Sequence, residues 1–177
     1  MIRDIILYPD ARLETPCDPV EEFDTGDLHR LVADMFESMY FHGGIGLAAP
    51  QIGVGKQVAV IDPSYGRDLS QKIAIINPQM TGMEGTQRGQ EGCLCFPEIV
   101  EQITRSMTVL VDAKDAAGTT VHLRSEGLLS RALQHEVDHL NGILFIRRMS
   151  SLKRQLIRSK IRRMLLAGNW GPSGSRL

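Results

Sequence analysis

The order of elements legible in the sequence predicts an α+β fold: one domain of short strands, mixed or antiparallel, around a central helix, with an N-terminal and a C-terminal helix. Three observations carry this. Apolar residues recur at helical spacing in three well-separated stretches. Between the first two lie several short Val- and Ile-rich runs closed by proline or glycine, which read as strands rather than as alternating βαβ units. No internal repeat or low-complexity linker divides the 177 residues, so a single domain over residues 1–167 is expected, with a loose tail over 168–177.

Residues 1–24 hold a short apolar opening and turn-rich sequence around Pro9, Pro16 and Pro19, and read as extended chain with loops. Asp24 or Thr25 is placed to cap a helix over residues 28–41, whose core stripe is Leu28, Leu31, Val32, Met35, Phe36, Met39 and Tyr40. His29 and His42 lie off that stripe or at its end and read as surface or capping residues. The run Gly43-Gly44-Ile45-Gly46-Leu47-Ala48-Ala49-Pro50-Gln51 lacks the Lys and Ser/Thr of a phosphate loop. It is either a tight connection or a backbone shelf for an extended peptide.

Strands are expected at residues 57–61 and 72–76, ending at Asp62-Pro63 and Asn77-Pro78, with a polar loop over 64–70 between them. Residues 83–92 look glycine-rich and irregular. Residues 106–113 and 119–124 flank Asp115-Ala116-Ala117-Gly118, a hairpin signal. The central helix starts near Ser125-Glu126-Gly127 and stops at Asn141-Gly142. A short strand is expected at residues 143–146. The last helix runs over 151–167, with Leu152, Leu156, Ile161 and Leu165 facing the protein and Trp170 anchoring the tail.

Composition excludes several classes. A 42% hydrophobic and 23% charged chain is that of a soluble globular protein. A net charge of -1 gives no global pull toward DNA or a membrane, and no apolar run reaches transmembrane length. The start lacks a secretory core and cleavage site. The three cysteines are odd in number, and in extended chain Cys93 and Cys95 would be too close for an ordinary disulfide. The expected location is the reducing cytoplasm.

The chemistry is concentrated in Gln134-His135-Glu136-Val137-Asp138-His139. On a helix, His135 and His139 project from one face, one turn apart, and suit a single divalent ion. Glu136 is rotated about 100 degrees from His135, where it flanks such an ion as a general base for water instead of ligating it. An ordinary amphipathic helix with two core-facing histidines shows the same pattern, so a third ligand must decide. Glu91-Gly92-Cys93-Leu94-Cys95-Phe96-Pro97 offers a thiolate, with two cysteines competing for the role. A Cys-His-His set leaves one coordination position open, as catalytic sites do.

Taken together, Gly44-Ile45-Gly46-Leu47-Ala48-Ala49-Pro50-Gln51, Glu91-Gly92-Cys93-Leu94 and Gln134-His135-Glu136-Val137-Asp138-His139-Leu140-Asn141-Gly142 resemble, in order, the three motifs of peptide deformylases. The resemblance runs from the N-terminus to about Ala167. It implies an enzyme that removes the formyl group from the N-formyl-methionyl end of new polypeptides and releases formate. It further implies Cys93, His135 and His139 as ligands of one divalent metal, Fe(II) in the cell, with Ni(II), Co(II) or Zn(II) accepted. Glu136 then corresponds to the proton carrier, the Gln51 amide and Leu94 N–H to oxyanion donors, and Ile45, Gly46, Glu91 and Leu128 to the substrate groove.

The resemblance also gives meaning to the basic end of the chain. Arg147, Arg148, Lys153, Arg154, Arg158, Lys160, Arg162 and Arg163 follow Asp138, the last acidic residue. Related bacterial enzymes dock a C-terminal helix on the ribosome, so residues 147–163 form a candidate ribosome contact. Two departures stand out. Cys95 replaces the usual serine of the second motif and adds an oxidisable group, so more oxygen sensitivity is expected than in a Cys95→Ser variant. Arg131 occupies a pocket-edge position that is apolar in some relatives, and reads as a solvent-facing Arg with a packed stem. The rival readings are an endopeptidase sharing the metal and glutamate, and a structural metal module in which Cys95 closes the fourth position.

Overall fold

A computed structural model describes residues 1–171. A 3-10 turn at Ala11–Glu14 precedes α1, Gly26–Phe41, whose first turn is capped by Thr25 accepting the Leu28 N–H. Then come β1 (Gly46–Ala48), β2 (Val58–Ile61), β3 (Ile73–Glu84), β4 (Gln87–Gly92), β5 (Val100–Arg105), β6 (Thr108–Lys114) and β7 (Thr120–Glu126). Two helices follow, α2 (Gly127–Leu140) and α3 (Ser151–Leu166). Strands β1-β2-β3-β6-β7 form an antiparallel sheet in that order, and β4 pairs with β5 as a separate ribbon. The α+β expectation holds.

β2 shows why the sheet is sandwiched. All four of its residues are buried, and alternate side chains leave opposite faces. Val58 and Val60 join Leu28, Met35, Phe36 and Met39 of α1, while Ala59 and Ile61 join Ala132, Leu133, Val137 and Leu140 of α2. A third cluster gathers Tyr8, Leu13, Cys95, Phe96, Ile99, Ile103, Phe145, Ile157 and Ile161, and ties α3 and the N-terminal segment to the β4–β5 ribbon. At the end of α2, Gly142 has a φ of 68° and a Cβ there would lie 2.7 Å from the Glu14 carbonyl oxygen. The N-terminal segment can cross this point only against glycine.

The structure corrects four local expectations. β3 does not stop at Asn77-Pro78; its pairing with β6 is irregular between Ile76 and Gln79 and then resumes, so the proline is absorbed at a bulge. Residues 83–92 are the end of β3 and all of β4 rather than irregular chain. Residues 143–146 form no strand; Phe145–Arg148 is a 3-10 turn that buries Phe145 and Ile146. In α3 only Ile157 and Ile161 are buried, and Leu152, Leu156 and Leu165 are exposed. Trp170 does anchor the chain, donating to the Tyr8 carbonyl at 2.6 Å. Most of the expected tail, residues 172–177, lies outside the described residues. Among those described, no helix is long and apolar enough to cross a membrane.

Candidate active site

Helix α2 carries the centre of the site, and every residue from Ser130 to Leu140 is buried. Several polar side chains on it are given partners from distant parts of the chain. Gln134 clamps the helix to the connection between β5 and β6: its Oε1 accepts the Ser106 N–H at 3.0 Å and its Nε2 donates to the Ser106 carbonyl at 3.0 Å. Asp138 accepts from Arg105 Nη1 at 2.5 Å and from Arg148 Nε at 3.0 Å, which fixes the other end. Sequence reasoning left both partners unassigned, since they lie on segments that the local pattern does not join.

The i, i+4 spacing brings His135 and His139 together with Cys93, and one donor atom from each lies within 4.8 Å of the others. Cys93 Sγ is 3.2 Å from His139 Nε2. His135 Nδ1 is engaged by Glu91 Oε1 at 2.6 Å, so its Nε2 is the atom left for the cluster. Burial pushes the Cys93 thiol up to about 12. A thiol so placed is deprotonated most readily by a bound cation, and one sulfur with two imidazole nitrogens is a donor set that divalent transition metals accept. The residues present therefore fit a metal ion. Cys95, the competing ligand, is not in the cluster.

Glu91 lines the cavity, but both its oxygens are occupied. Oε1 accepts from Arg105 Nη2 at 2.6 Å as well as facing His135, and Oε2 accepts from Arg105 Nε at 3.1 Å and Arg131 Nη1 at 3.0 Å. Burial pushes its carboxyl up, yet the hydrogen bonds from His135 and Arg105 outweigh this and hold it well below the usual carboxylate range. Arg131 is thus not the solvent-facing residue expected: it is buried, and it also donates to the Ile103 carbonyl at 3.2 Å. Its partner is 40 residues away, which no local pattern reveals.

Glu136 sits beside this cluster with a different environment. Burial raises its carboxyl to about 7, and its Oε2 is one of two buried side-chain polar atoms without a hydrogen-bond partner among the described residues, the other being His139 Nδ1. Gly46 explains how β1 reaches so close: a Cβ at that position would stand 2.2 Å from Glu136 Oε1. Gln51 is oriented by its own chain, with Oε1 accepting the Ala48 N–H at 2.7 Å and Nε2 directed at Cys93 Sγ (3.7 Å) and Cys95 Sγ (3.4 Å).

Around these groups opens one large cavity of about 1100 Å³. Ile45, Gly46, Gln51, Glu91, Cys93, Leu94, Leu128, His135 and Glu136 all line it, so nine of the ten residues singled out in the sequence border one cavity. His139 lies behind them, almost wholly buried. β1 pairs only with β2 and so leaves one edge of the sheet beside the cavity. Gln134 and Asp138 read from the sequence as supports without assigned partners; the supports that sequence reasoning missed are Arg105 and Arg148.

Comparison with known proteins places this arrangement. Residues 2–155 match the family model for polypeptide deformylase. A peptide deformylase of Acidobacterium capsulatum is 51% identical over 170 residues, covering 96% of this chain and 99% of that protein. One of Thermodesulfovibrio yellowstonii is 43% identical over 91% of this chain and 97% of its own. The crystal structure of a peptide deformylase from Legionella pneumophila superposes with a TM-score of 0.87 at 40% identity, over 97% of this chain and 100% of that one. This chain belongs to the polypeptide deformylase family.

Proposed function

We propose that this chain removes the formyl group from the N-formyl-methionyl end of new polypeptides, with Cys93, His135 and His139 holding one divalent metal ion and Glu136 carrying the proton. The observation that supports this most directly is a buried carboxyl raised to about 7 beside a Cys-His-His cluster, at the wall of an open cavity. A group poised near neutrality exchanges protons in both directions. A bound metal supplies Lewis-acid chemistry, acidifying water and polarising the formyl carbonyl.

The chain's own residues do the rest. Glu136 takes the proton of the attacking water and passes it to the amine nitrogen as the C–N bond breaks. Gln51 Nε2, held by the Ala48 contact to Gln51 Oε1, and the Leu94 N–H donate to the oxygen that gains charge. Glu91 fixes the His135 ring by accepting from Nδ1, and Arg105 and Arg131 hold Glu91 in place. The peptide lies along the free edge of β1, with Ile45, Gly46 and Leu128 bordering the methionine side chain. Fe(II) is the expected metal, the cytoplasm the expected location, and the basic surface of α3 the expected ribosome contact.

The test is formate release from a formyl-Met-Ala-Ser peptide by anaerobically purified protein whose metal has been quantified. Release with about one metal per chain, lost in Glu136→Ala with the metal retained, is the expected outcome. Metal without release in the unmutated chain returns the site to a structural role. Cleavage of unformylated internal peptide bonds makes the chain an endopeptidase instead.

A further inference from the structure

We propose that Cys93 and Cys95 are a peroxide-responsive pair, in which Cys95 is the resolving thiol that closes an oxidised Cys93 into a reversible disulfide. The proposal rests on the geometry of the two thiols, and its main readout does not depend on the deformylase reading.

The chain around them is a turn, not extended strand. Phe96 N–H donates to the Cys93 carbonyl at 2.9 Å, so Cys93-Leu94-Cys95-Phe96 folds back on itself. That removes the objection raised by an extended Cys-Leu-Cys segment. Both sulfurs accept from the same Gln51 amide nitrogen, at 3.7 and 3.4 Å, so the turn gathers the two thiols around one donor. All three cysteines are free, and Cys17 belongs to a different core cluster, so Cys93 and Cys95 have only each other as a nearby thiol partner among the described residues.

Exposure assigns the roles. Cys93 is half-buried and lines the open cavity, where a small oxidant reaches it. Cys95 is fully buried among Phe96, Ile99 and Ile103, out of reach of an oxidant in the cavity. Hydrogen peroxide is therefore the oxidant and Cys93 its first target. The Cys93 sulfur attacks one peroxide oxygen, an S–O bond forms as the O–O bond breaks, and the second oxygen leaves as water with the Cys93 proton. The Cys95 sulfur then attacks the Cys93 sulfur, the S–S bond forms, the S–O bond breaks, and the departing oxygen leaves as water with the Cys95 proton. In sum, two thiols lose two electrons and one peroxide becomes two waters. Without a neighbouring thiol, a sulfenic acid at Cys93 would climb to sulfinic and sulfonic acids, which dithiol reductants do not reverse. A disulfide closed across a single intervening residue is strained and so easily reduced.

The test treats the metal-loaded full chain with hydrogen peroxide, alkylates it, and maps it after trypsin, since residues 89–105 lie between two arginines and hold both cysteines. In the unmutated chain this peptide should lose two hydrogens, resist alkylation, and regain two alkylatable thiols with dithiothreitol. In Cys95→Ser, Cys93 should instead gain two or three oxygens, and the thiol recovered by reductant should fall on the order of tenfold. Peroxide addition of oxygens to Cys93 in the unmutated chain, with no internal disulfide, overturns the proposal. So does equal thiol recovery in the two proteins, or a disulfide from Cys93 to Cys17. A Cys17→Ser variant keeps the pair intact and must still close it, which preserves the test if Cys95→Ser folds poorly.

Discussion

Helices α2 and α3 are of similar length but treat charge in opposite ways. On α2, Arg131, Glu136, Asp138 and both histidines are buried, and all but Glu136 are engaged by partners drawn from other elements. On α3, only Ile157 and Ile161 are buried, and Arg154, Arg158, Lys160, Arg162 and Arg163 have no ion pair among the described residues. Lys153 is the exception, pairing with Glu101. A buried charge without a partner costs several kcal/mol, so a chain that keeps five ionisable groups inside one helix has a use for them. A solvated charge costs little and carries little energy, and its use is at a surface. The contrast separates a helix that buries its ionisable groups from one that leaves them in solvent.

The sharpest way to test that division is Glu136→Gln, which keeps shape and removes proton transfer. Turnover should fall by about 10²–10⁴ with metal content unchanged, as read by formate release and metal analysis on the same sample. Loss of the metal along with turnover would make Glu136 part of the metal's support. Next in size is Arg105→Ala, which removes the cation that Glu91 and Asp138 share and leaves Glu91 with Arg131 and Asp138 with Arg148. The expected loss is about 3–5 kcal/mol in denaturant unfolding, because two buried carboxylates lose their shared cation. Arg158→Ala on α3 should stay within about 0.5 kcal/mol. Equal effects from the two arginines would dissolve the comparison.

Gly46→Ala probes the same wall from the opposite strand. The added methyl would meet Glu136 Oε1 at 2.2 Å, so either β1 or the carboxylate must move. Displacing a reacting group by about 1 Å costs on the order of a hundredfold in rate, and that is the expected loss in kcat. Stability should fall by about 1–3 kcal/mol from overpacking. Unchanged kcat with lowered stability would show that the strand yields instead of the carboxylate.

How much of this was legible in the sequence depends on how local each signal is. The pairing of His135 with His139 follows from helical spacing alone, and a cap at Asp24 or Thr25, of which the structure uses Thr25, from its place before an apolar stripe. The strand over 83–92 was hidden because Gly85, Gly89 and Gly92 erase the alternation that marks a strand, while its partner β5 lies across a turn. Residues 143–146 are as apolar as a strand, yet they lead into the 3-10 turn Phe145–Arg148, whose Phe145 and Ile146 pack with α3 and the N-terminal segment. Arg131 is polar in a helical pattern, so exposure was the default reading; its burial depends on Glu91, distant in sequence. The leucine stripe of α3 misled for the opposite reason. Leu152, Leu156 and Leu165 repeat at helical spacing, but no element among the described residues covers them.

That uncovered face leads to the smallest expected effect on the enzyme itself. Arg158 and Arg162 are exposed, one turn apart, on the solvent side of α3, with Leu165 nearby on the same helix. Reversing both charges, Arg158→Glu with Arg162→Glu, should change unfolding stability by no more than about 0.5 kcal/mol. Formate release from a short peptide should be untouched, since no residue of α3 lines the cavity. Ribosome co-sedimentation should nonetheless drop, and should depend steeply on salt in the unmutated chain, because contacts between basic side chains and phosphates release counterions. Co-sedimentation that ignores both the charge reversal and the salt would mean that α3 is only a solvated cover. The exposed leucines beside those arginines would then have no partner to account for them.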